Sequence, residues 1–173
     1  MEKLRAFLIP LLGLKDDIHH FDFQLDKNFF SQFENSPVSE GLFQVKLTLD
    51  KRPNLLVLDF NISGTTPAKC DRCLSAINYP VEDQQQLIFK YAESYKEEAE
   101  VVYLANGTTE INVAKYIFEC VCLAVPMLKY CEASDQDCSD EMLKYLDHQE
   151  APEVEESTEN PLWDELKKFN HKK

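Results

Sequence analysis

The stretch LFQVKLTLDKRPNLLVLDFNIS, residues 42–63, contains two apolar-rich runs that are separated by a turn. The apolar positions of the first run are Leu42, Val45, Leu47 and Leu49. They alternate with polar residues, apart from one slip that indicates a bulge. The second run, NLLVLDFNIS, follows the turn-forming sequence DKRPN. Two apolar-rich runs joined in this way predict a β-hairpin.

Further strands are predicted on both sides of this hairpin. The sequence DIHHFDFQLD at 17–26 alternates, and residues 79–91 and 101–104 read as two more strands. Between the first strand and the hairpin, KNFFSQFENS at 27–36 predicts a short helix that places three phenylalanines on the core. The charged run ESYKEEAE at 93–100 is expected to be a solvated loop.

Residues 112–129 form the best helix candidate. Asn112 suits the N-cap position, and apolar residues recur at helical spacing after it. Pro126 is expected to kink the helix or end its regular part. Together these elements predict an α+β fold, in which an antiparallel, partly closed sheet from the first hundred or so residues is covered by this helix.

The composition divides the chain into three parts. Residues 1–146 contain the predicted sheet and helix, and we expect them to form one β-rich α+β domain with a Cys-x-x-Cys pair. Residues 147–160, DHQEAPEVEESTEN, are acidic and nearly free of large apolar groups, which predicts a disordered linker. Residues 161–173 can form one short helix, because apolar residues recur on one face.

The chain is strongly acidic, with a formal net charge of −13 at pH 7 and a sequence pI of about 4.7. A surface that binds phosphates needs clustered Lys and Arg side chains. The composition therefore argues against direct binding of DNA or RNA. If nucleic acid matters, we expect the contact to run through a protein partner with a basic surface.

The first residues, MEKLRAFLIPLLGL, superficially look like a signal peptide. The apolar run contains Pro10 and Gly13 and lacks a small-residue cleavage site. No stretch approaches the length of a membrane span. We therefore expect a cytoplasmic protein with no membrane partner, in which thiols stay reduced.

Four of the six cysteines can be grouped into two pairs. Cys70 and Cys73 are separated by two residues, which is typical of one half of a structural zinc site. Cys131 and Cys138 form a looser second pair in the loop after the predicted helix. If a metal is bound, we predict that it is zinc and that these four cysteines are its ligands.

Cys120 and Cys122 are excluded from this set, because residues two apart on a helix point to nearly opposite sides. Two alternatives to zinc stay open for the Cys-x-x-Cys pair. The cysteines can be small core residues without a ligand, or the pair can be redox-active. The redox alternative is weaker, because the sequence after Cys73 reads as a turn into a strand, not as a helix.

No catalytic residue is predicted. The four histidines have no nucleophile pattern near them, and the four glycines are not grouped into a phosphate-binding loop. We therefore expect that the protein is not an enzyme.

Several short motifs occur in a characteristic order. Cys70-Asp71-Arg72-Cys73-Leu74 closes the β-rich half, Leu123-Ala124-Val125-Pro126 ends the helix, and Asn160-Pro161-Leu162-Trp163 opens the last segment. This order resembles the YceD family, bacterial and plastid proteins named for large-ribosomal-RNA-subunit accumulation. The resemblance spans about residues 40–169. The last motif departs from the family pattern, with Asn160 in place of Asp and Leu162 in place of Arg.

The resemblance implies a ribosome-biogenesis factor that supports accumulation or processing of large-subunit ribosomal RNA. The acidic charge fits a basic ribosomal or assembly protein as the partner, with an indirect contact to the RNA. One alternative is a zinc-stabilised adaptor unrelated to ribosomes, and a less favoured one is a thiol oxidoreductase. The residues predicted to contact the partner are Arg72, Pro161, Trp163, Leu166 and Phe169.

Overall fold

The computed structural model describes residues 2–34, 36–98 and 101–147. Six strands form the main sheet: β2 (Ile18–Leu25), β3 (Leu42–Arg52), β4 (Leu55–Lys69), β5 (Ala76–Ala92), β6 (Lys96–Glu98) and β7 (Val101–Ala105). A second, two-stranded sheet pairs β1 (Leu8–Pro10) with β8 (Glu110–Asn112). The α-helices are α1 (Lys27–Phe30), α2 (Ala114–Ala124) and α3 (Asp140–Asp147), and two 3-10 turns span Glu2–Phe7 and Cys131–Ser134. The mixed α+β class predicted from the sequence is confirmed.

The predicted hairpin is the centre of the main sheet. Strands β3 and β4 pair antiparallel from Leu42 opposite Thr65 to Arg52 opposite Leu55. This register is continuous, so the predicted bulge is wrong. Phe43, at 3% exposure, faces the core, whereas Leu42 is 70% exposed. The alternation is therefore regular once Phe43 replaces Leu42 as the inward position.

The sheet is open, and the prediction that it is partly closed is not confirmed. Its strand order is β2-β3-β4-β5-β7-β6, with β2 and β6 at the two ends. All neighbours are antiparallel except β5 and β7, which pair in parallel. The parallel pair arises because the run predicted to be a charged loop forms β6, which lies on the far side of β7.

One face of the sheet is buried under several segments. Helix α2 contacts β4 and β5, with Ile117 and Val121 fully buried. Phe7 of the first 3-10 turn stacks on Phe23, and Phe30 of α1 packs edge-on against Phe43. The expected cover by one main helix is therefore incomplete, because α1 and the N-terminal segment share the apolar face.

Helix α2 is shorter than the predicted 112–129. It ends at Ala124, and Val125 is extended, with φ −75° and ψ 116°, as expected for a residue that precedes a proline such as Pro126. At the other end, Asn112 Oδ1 accepts a hydrogen bond of 2.9 Å from the backbone N–H of Ala114, although Val113 occupies the N-cap position. None of the helices in the described ranges is long and apolar enough to cross a membrane.

Candidate metal centre

The first half of the candidate centre is the turn between β4 and β5. The backbone N–H of Cys70 donates to Ser75 O at 2.9 Å, and the N–H of Leu74 donates to Cys70 O at 2.9 Å. These two bonds close the chain into a tight knuckle that carries both Cys70 and Cys73. Leu74 adopts a left-handed backbone conformation, with φ 62°, which is unusual for a side chain of this size.

The second half is the segment after α2, which is bound to the knuckle by its backbone. The N–H of Asp71 donates to Lys129 O at 2.8 Å, and the N–H of Lys129 donates to Asp71 Oδ2 at 2.6 Å. Cys131 opens the 3-10 turn that follows, and Cys138 lies two residues before α3. This double contact brings the second cysteine pair over the first.

The four sulfurs converge on one point. Cys73 Sγ lies 3.4 Å from Cys131 Sγ, and Cys70 Sγ lies 3.9 Å from Cys138 Sγ. All four sulfurs lie within 4.8 Å of one another. Four thiolates around a tetrahedral zinc ion are separated by about 3.8 Å, since each Zn–S bond is about 2.3 Å. The cysteines are free, and the sulfurs are too far apart for the disulfide bond length of about 2.05 Å.

Hydrogen bonds to two of the sulfurs favour the thiolate form, which is the form that binds metals. The hydroxyl of Ser75 and the backbone N–H groups of Ser139 and Ser75 lower the pKa of Cys73 to about 5. Burial opposes ionisation of Cys70, but backbone N–H groups, including that of Cys73, lower its pKa below the usual value. The knuckle therefore supplies dipoles that stabilise negative charge on sulfur.

Burial has the opposite effect on the second pair. It raises the pKa of Cys131, and so do hydrogen bonds shared with the Cys73 and Cys70 sulfurs. Burial also raises the pKa of Cys138. Without a cation, four thiolates cannot share so small a space, because like charges at this distance disfavour one another. The donor set is thus suited to a divalent ion that compensates the charge.

The four cysteines belong to a small satellite of the core, which we call the cysteine lobe. It consists of the β4–β5 turn and residues 127–147, which meet at the sulfurs. Its buried residues are Cys70, Cys73, Ile77 and Cys131, with Met142 of α3 partly buried against them. Ile77 is the one large aliphatic side chain in this buried set. Apolar packing therefore contributes little to holding the lobe together.

The other two cysteines lie elsewhere. Cys120 is buried in the main core under the sheet, where burial raises its pKa to about 12, and Cys122 is partly buried against the same core. In the described part of the chain, the one group of Cys, His and acidic side chains with metal-ligand geometry is the cluster of four sulfurs. The structure thus brings together the four cysteines that the sequence predicts and separates them from the two that it excludes.

Family comparison gives an independent result. The family model described as large ribosomal RNA subunit accumulation protein YceD matches residues 58–170, which is well over half of the 173 residues. The chain belongs to the YceD family. The resemblance inferred from the short motifs is therefore confirmed. Neither the curated proteins nor the solved structures contain a match to the chain.

The region shared with the YceD family runs from near the start of β4 through the cysteine lobe to the C-terminal segment. It includes Arg72, whose Nη1 lies 3.6 Å from Glu132 Oε1 on the surface of the lobe. The remaining predicted contact residues, Pro161, Trp163, Leu166 and Phe169, lie outside the described residues, as do nearly all of the predicted linker and tail.

Sequence reasoning missed the surface next to Arg72. Leu128 and Tyr130 line a groove with Asp71, Arg72 and Glu132. The signal was present, because apolar residues directly after Pro126 cannot continue the apolar stripe of a helix that ends before the proline. The predicted helix 112–129 instead includes Met127 and Leu128.

Proposed function

We propose that this YceD-family protein is a non-enzymatic ribosome-biogenesis factor. It supports the accumulation or processing of large-subunit ribosomal RNA through a ribosomal or assembly protein with a basic surface. The family match carries this proposal, since the family is named for accumulation of that RNA. The match also favours this function over an adaptor unrelated to ribosomes.

The solvent face of the main sheet supports a protein partner. On β2–β5 this face carries four carboxylates, three lysines and one arginine. Lys46 lies directly across from Asp22 on the neighbouring strand, and Arg52 pairs with Asp50. Lys69 and Lys90 lie at opposite ends of the β4–β5 pair. A surface that binds RNA directly would present several unpaired cations in a row. The described part of this face presents no such row.

Many of the described lysines and arginines form ion pairs within the chain. Six described lysines and arginines pair with carboxylates of the same chain: Lys27, Lys51, Arg52, Arg72, Lys96 and Lys115. Each of these pairs leaves less positive potential for phosphate. An acidic protein with neutralised cations instead attracts a basic protein by long-range electrostatics.

We also propose that Cys70, Cys73, Cys131 and Cys138 hold a structural zinc ion. The convergence of the sulfurs and the dipoles aimed at Cys73 and Cys70 support this proposal. A bound ion would fasten residues 127–147 to the knuckle, where apolar burial is small. A redox role has less support, because Cys73 leads through a turn into β5 and not into a helix.

The proposed contact with the partner includes Arg72 and the C-terminal residues Pro161, Trp163, Leu166 and Phe169. Arg72 is exposed on the lobe, with 51% of its side chain accessible. Trp163 is the only tryptophan of the chain, and it carries the apolar face of a short segment together with Leu166 and Phe169. Segments of this kind bind as amphipathic helices in apolar grooves.

Affinity purification with a nuclease step tests the function. Tagged full-length protein is purified from its own cells, and one half of each sample is treated with ribonuclease. We expect a basic large-subunit or assembly protein to remain bound after the treatment, and depletion of the protein to lower large-subunit ribosomal RNA relative to small-subunit RNA. Complete loss of bound proteins after ribonuclease would contradict a protein-mediated contact, and unchanged RNA levels would contradict the function.

Removal of residues 161–173 tests the tail separately. The truncated protein should keep its fold, measured by circular dichroism, and should capture less of the partner. A second variant, Trp163→Ala, removes only the aromatic anchor and keeps the length and charge of the segment. If both variants capture the partner as well as the full chain does, the contact lies on the domain surface.

A further inference from the structure

Exposed apolar side chains are concentrated on the cysteine lobe and at the end of α2. Across the described ranges, nine large apolar side chains are exposed, and five of them lie on the knuckle or on the segment from the end of α2 onward. These five are Leu74, Leu123, Met127, Leu128 and Tyr130. Single exposed apolar residues are common in folded proteins, whereas a concentration of them marks a surface that another segment covers.

A groove runs through this surface. It has a volume of about 500 Å³ and is lined by Asp71, Arg72, Leu128, Tyr130 and Glu132. Leu128 is 61% exposed and Tyr130 is 41% exposed, so the apolar part of the lining is open to water. Charged side chains at its edge, with Glu132 78% accessible, surround this apolar part. The groove therefore has the layout of a site for an aromatic or aliphatic side chain that carries basic neighbours.

The C-terminal residues 161–173 have the matching chemistry. Trp163 and Leu166 are three residues apart, as are Leu166 and Phe169, which places them along one side of a helix. A segment of this length is not stably helical alone. It gains order when its apolar side is covered.

Residues 161–173 are also connected to the lobe by a short length of chain. Helix α3 is the last element of the lobe, and its Met142 packs against the cysteine cluster. Residues 148–160 then provide 13 residues of linker. A flexible linker of this length spans about 20 Å on average and at most about 45 Å. A segment tethered in this way meets a nearby groove at an effective concentration of about millimolar.

The charges favour residues 161–173 over the linker as the segment that binds in the groove. Residues 161–173 contain four lysines against one aspartate and one glutamate, a net charge of +2. Residues 148–160 contain five glutamates and no lysine or arginine. The groove lining carries two carboxylates, Asp71 and Glu132, against Arg72, and the same lobe also exposes Asp135 and Asp137. The lobe therefore repels the linker and attracts the basic segment that follows it.

We propose that residues 161–173 fold back in the free protein and seat Trp163 in the groove between Leu128 and Tyr130. The contact covers Leu128 and Tyr130 and brings the lysines of the segment next to the exposed acidic residues of the lobe. The proposal rests on the proposed function in one respect: a partner that uses the same apolar side of the segment must displace it from the groove.

Fluorescence of the single tryptophan tests the docking without any partner. The emission spectrum and the acrylamide quenching of Trp163 are measured in the full-length protein, in Leu128→Asp and in the urea-unfolded chain. The matched control is Leu12→Asp, since Leu12 is 79% exposed and lies on the loop after β1, outside the groove lining. Zinc content and circular dichroism of each variant report whether the lobe and the sheet remain folded.

We expect blue-shifted, poorly quenched emission in the full-length protein and in Leu12→Asp, and loss of the shift in Leu128→Asp. Emission like that of the unfolded chain in the full-length protein would overturn the proposal and leave the partner contact of the tail untouched. Shielded emission that Leu128→Asp does not change would place the tryptophan elsewhere and also overturn it. A shift that disappears on dilution would place the tryptophan against a second copy of the chain and would overturn docking within one chain.

Discussion

The main sheet and the cysteine lobe are stabilised in different ways. Among the described residues, the sheet and the segments that cover it share one cluster of 26 buried residues, nearly all of them apolar. The lobe has a cluster of four, and three of these are cysteines. At about 25 cal/mol for each Å² of apolar surface, the first cluster can account for a folded domain and the second cannot.

Because of this difference, a bound metal would add more stability to the lobe than to the sheet. A region with a large core keeps its shape through burial, and a ligand adds little to it. A region with a small core needs another source of free energy, and four converging sulfurs can supply it through zinc. We therefore expect the two regions to respond separately to core mutations, to loss of ligands and to acid.

The largest effect is expected from Phe60→Ala in the centre of the sheet. Phe60 is 0% exposed, and removal of a buried phenylalanine ring costs about 3–5 kcal/mol. Urea unfolding should show this loss in the free energy of unfolding. The control is Leu42→Ala on the neighbouring strand, where the side chain is 70% exposed and the loss should stay within about 0.5 kcal/mol. Equal losses in the two variants would contradict the assignment of the core to this face.

Cys131→Ser should abolish stoichiometric zinc binding and open the lobe without unfolding the sheet. Cys131 is one of the four converging ligands, and loss of one thiolate leaves an incomplete tetrahedral set. Elemental analysis and the urea midpoint measure the two consequences. The control Cys122→Ser removes a thiol that lies outside the cluster and should keep the zinc. Full zinc content in Cys131→Ser would exclude the proposed ligand set.

Acid should weaken the sheet through Glu97 on β6. Hydrogen bonds from Lys115, at 2.6 Å, and from Tyr95 and Tyr116 lower its pKa from 4.5 to about 2. Because this pKa is lower in the folded state, the folded state binds fewer protons than the unfolded state in this range. The stabilisation is therefore present above about pH 4.5 and is lost as the pH falls towards 2.

Urea unfolding across this pH range measures the effect of Glu97. Glu97→Gln should unfold with a weaker dependence on pH than the parent, because the glutamine cannot be protonated in this range. The control Glu93→Gln changes an exposed carboxylate on the loop before β6 and should keep the parent dependence. Identical pH profiles for the parent and Glu97→Gln would show that Glu97 does not contribute to the loss of stability in acid.

The smallest effect is expected at Leu74. Its left-handed φ of 62° costs about 1 kcal/mol for a residue with a Cβ, and glycine avoids this cost but loses chain entropy on folding. Leu74→Gly should therefore strengthen the knuckle by about 0.5 kcal/mol, or about two-fold in zinc affinity. Chelator competition measures it, and Leu74→Ala, which keeps the Cβ, should show no gain.

Much of the sheet could be predicted from the sequence because period-two alternation is a local signal. It identified the central hairpin and the first strand. It did not identify β6, since the charged residues 96–98 pair with β7 through their backbone and carry no apolar pattern. The parallel pairing of β5 with β7 and the open edges depend on contacts between distant segments, which no short window contains.

The candidate metal centre shows the same division. Spacing selected Cys70 and Cys73, and the helical geometry of α2 correctly separated Cys120 and Cys122 from them. The six residues between Cys131 and Cys138 gave no regular signal for the second pair. The pair converges because Lys129 bonds to the knuckle through its backbone, and any residue type can make a backbone contact of this kind.

Amide hydrogen exchange, measured with and without a zinc chelator, tests most directly the claim that zinc stabilises the lobe and burial stabilises the sheet. Chelation should remove protection from residues 69–76 and 127–144, while residues 43–62 of the central hairpin should keep theirs. Loss of protection throughout the domain would contradict the separation of the two regions. A lobe that is as well protected in zinc-free protein as the central hairpin is would contradict the proposed role of the metal.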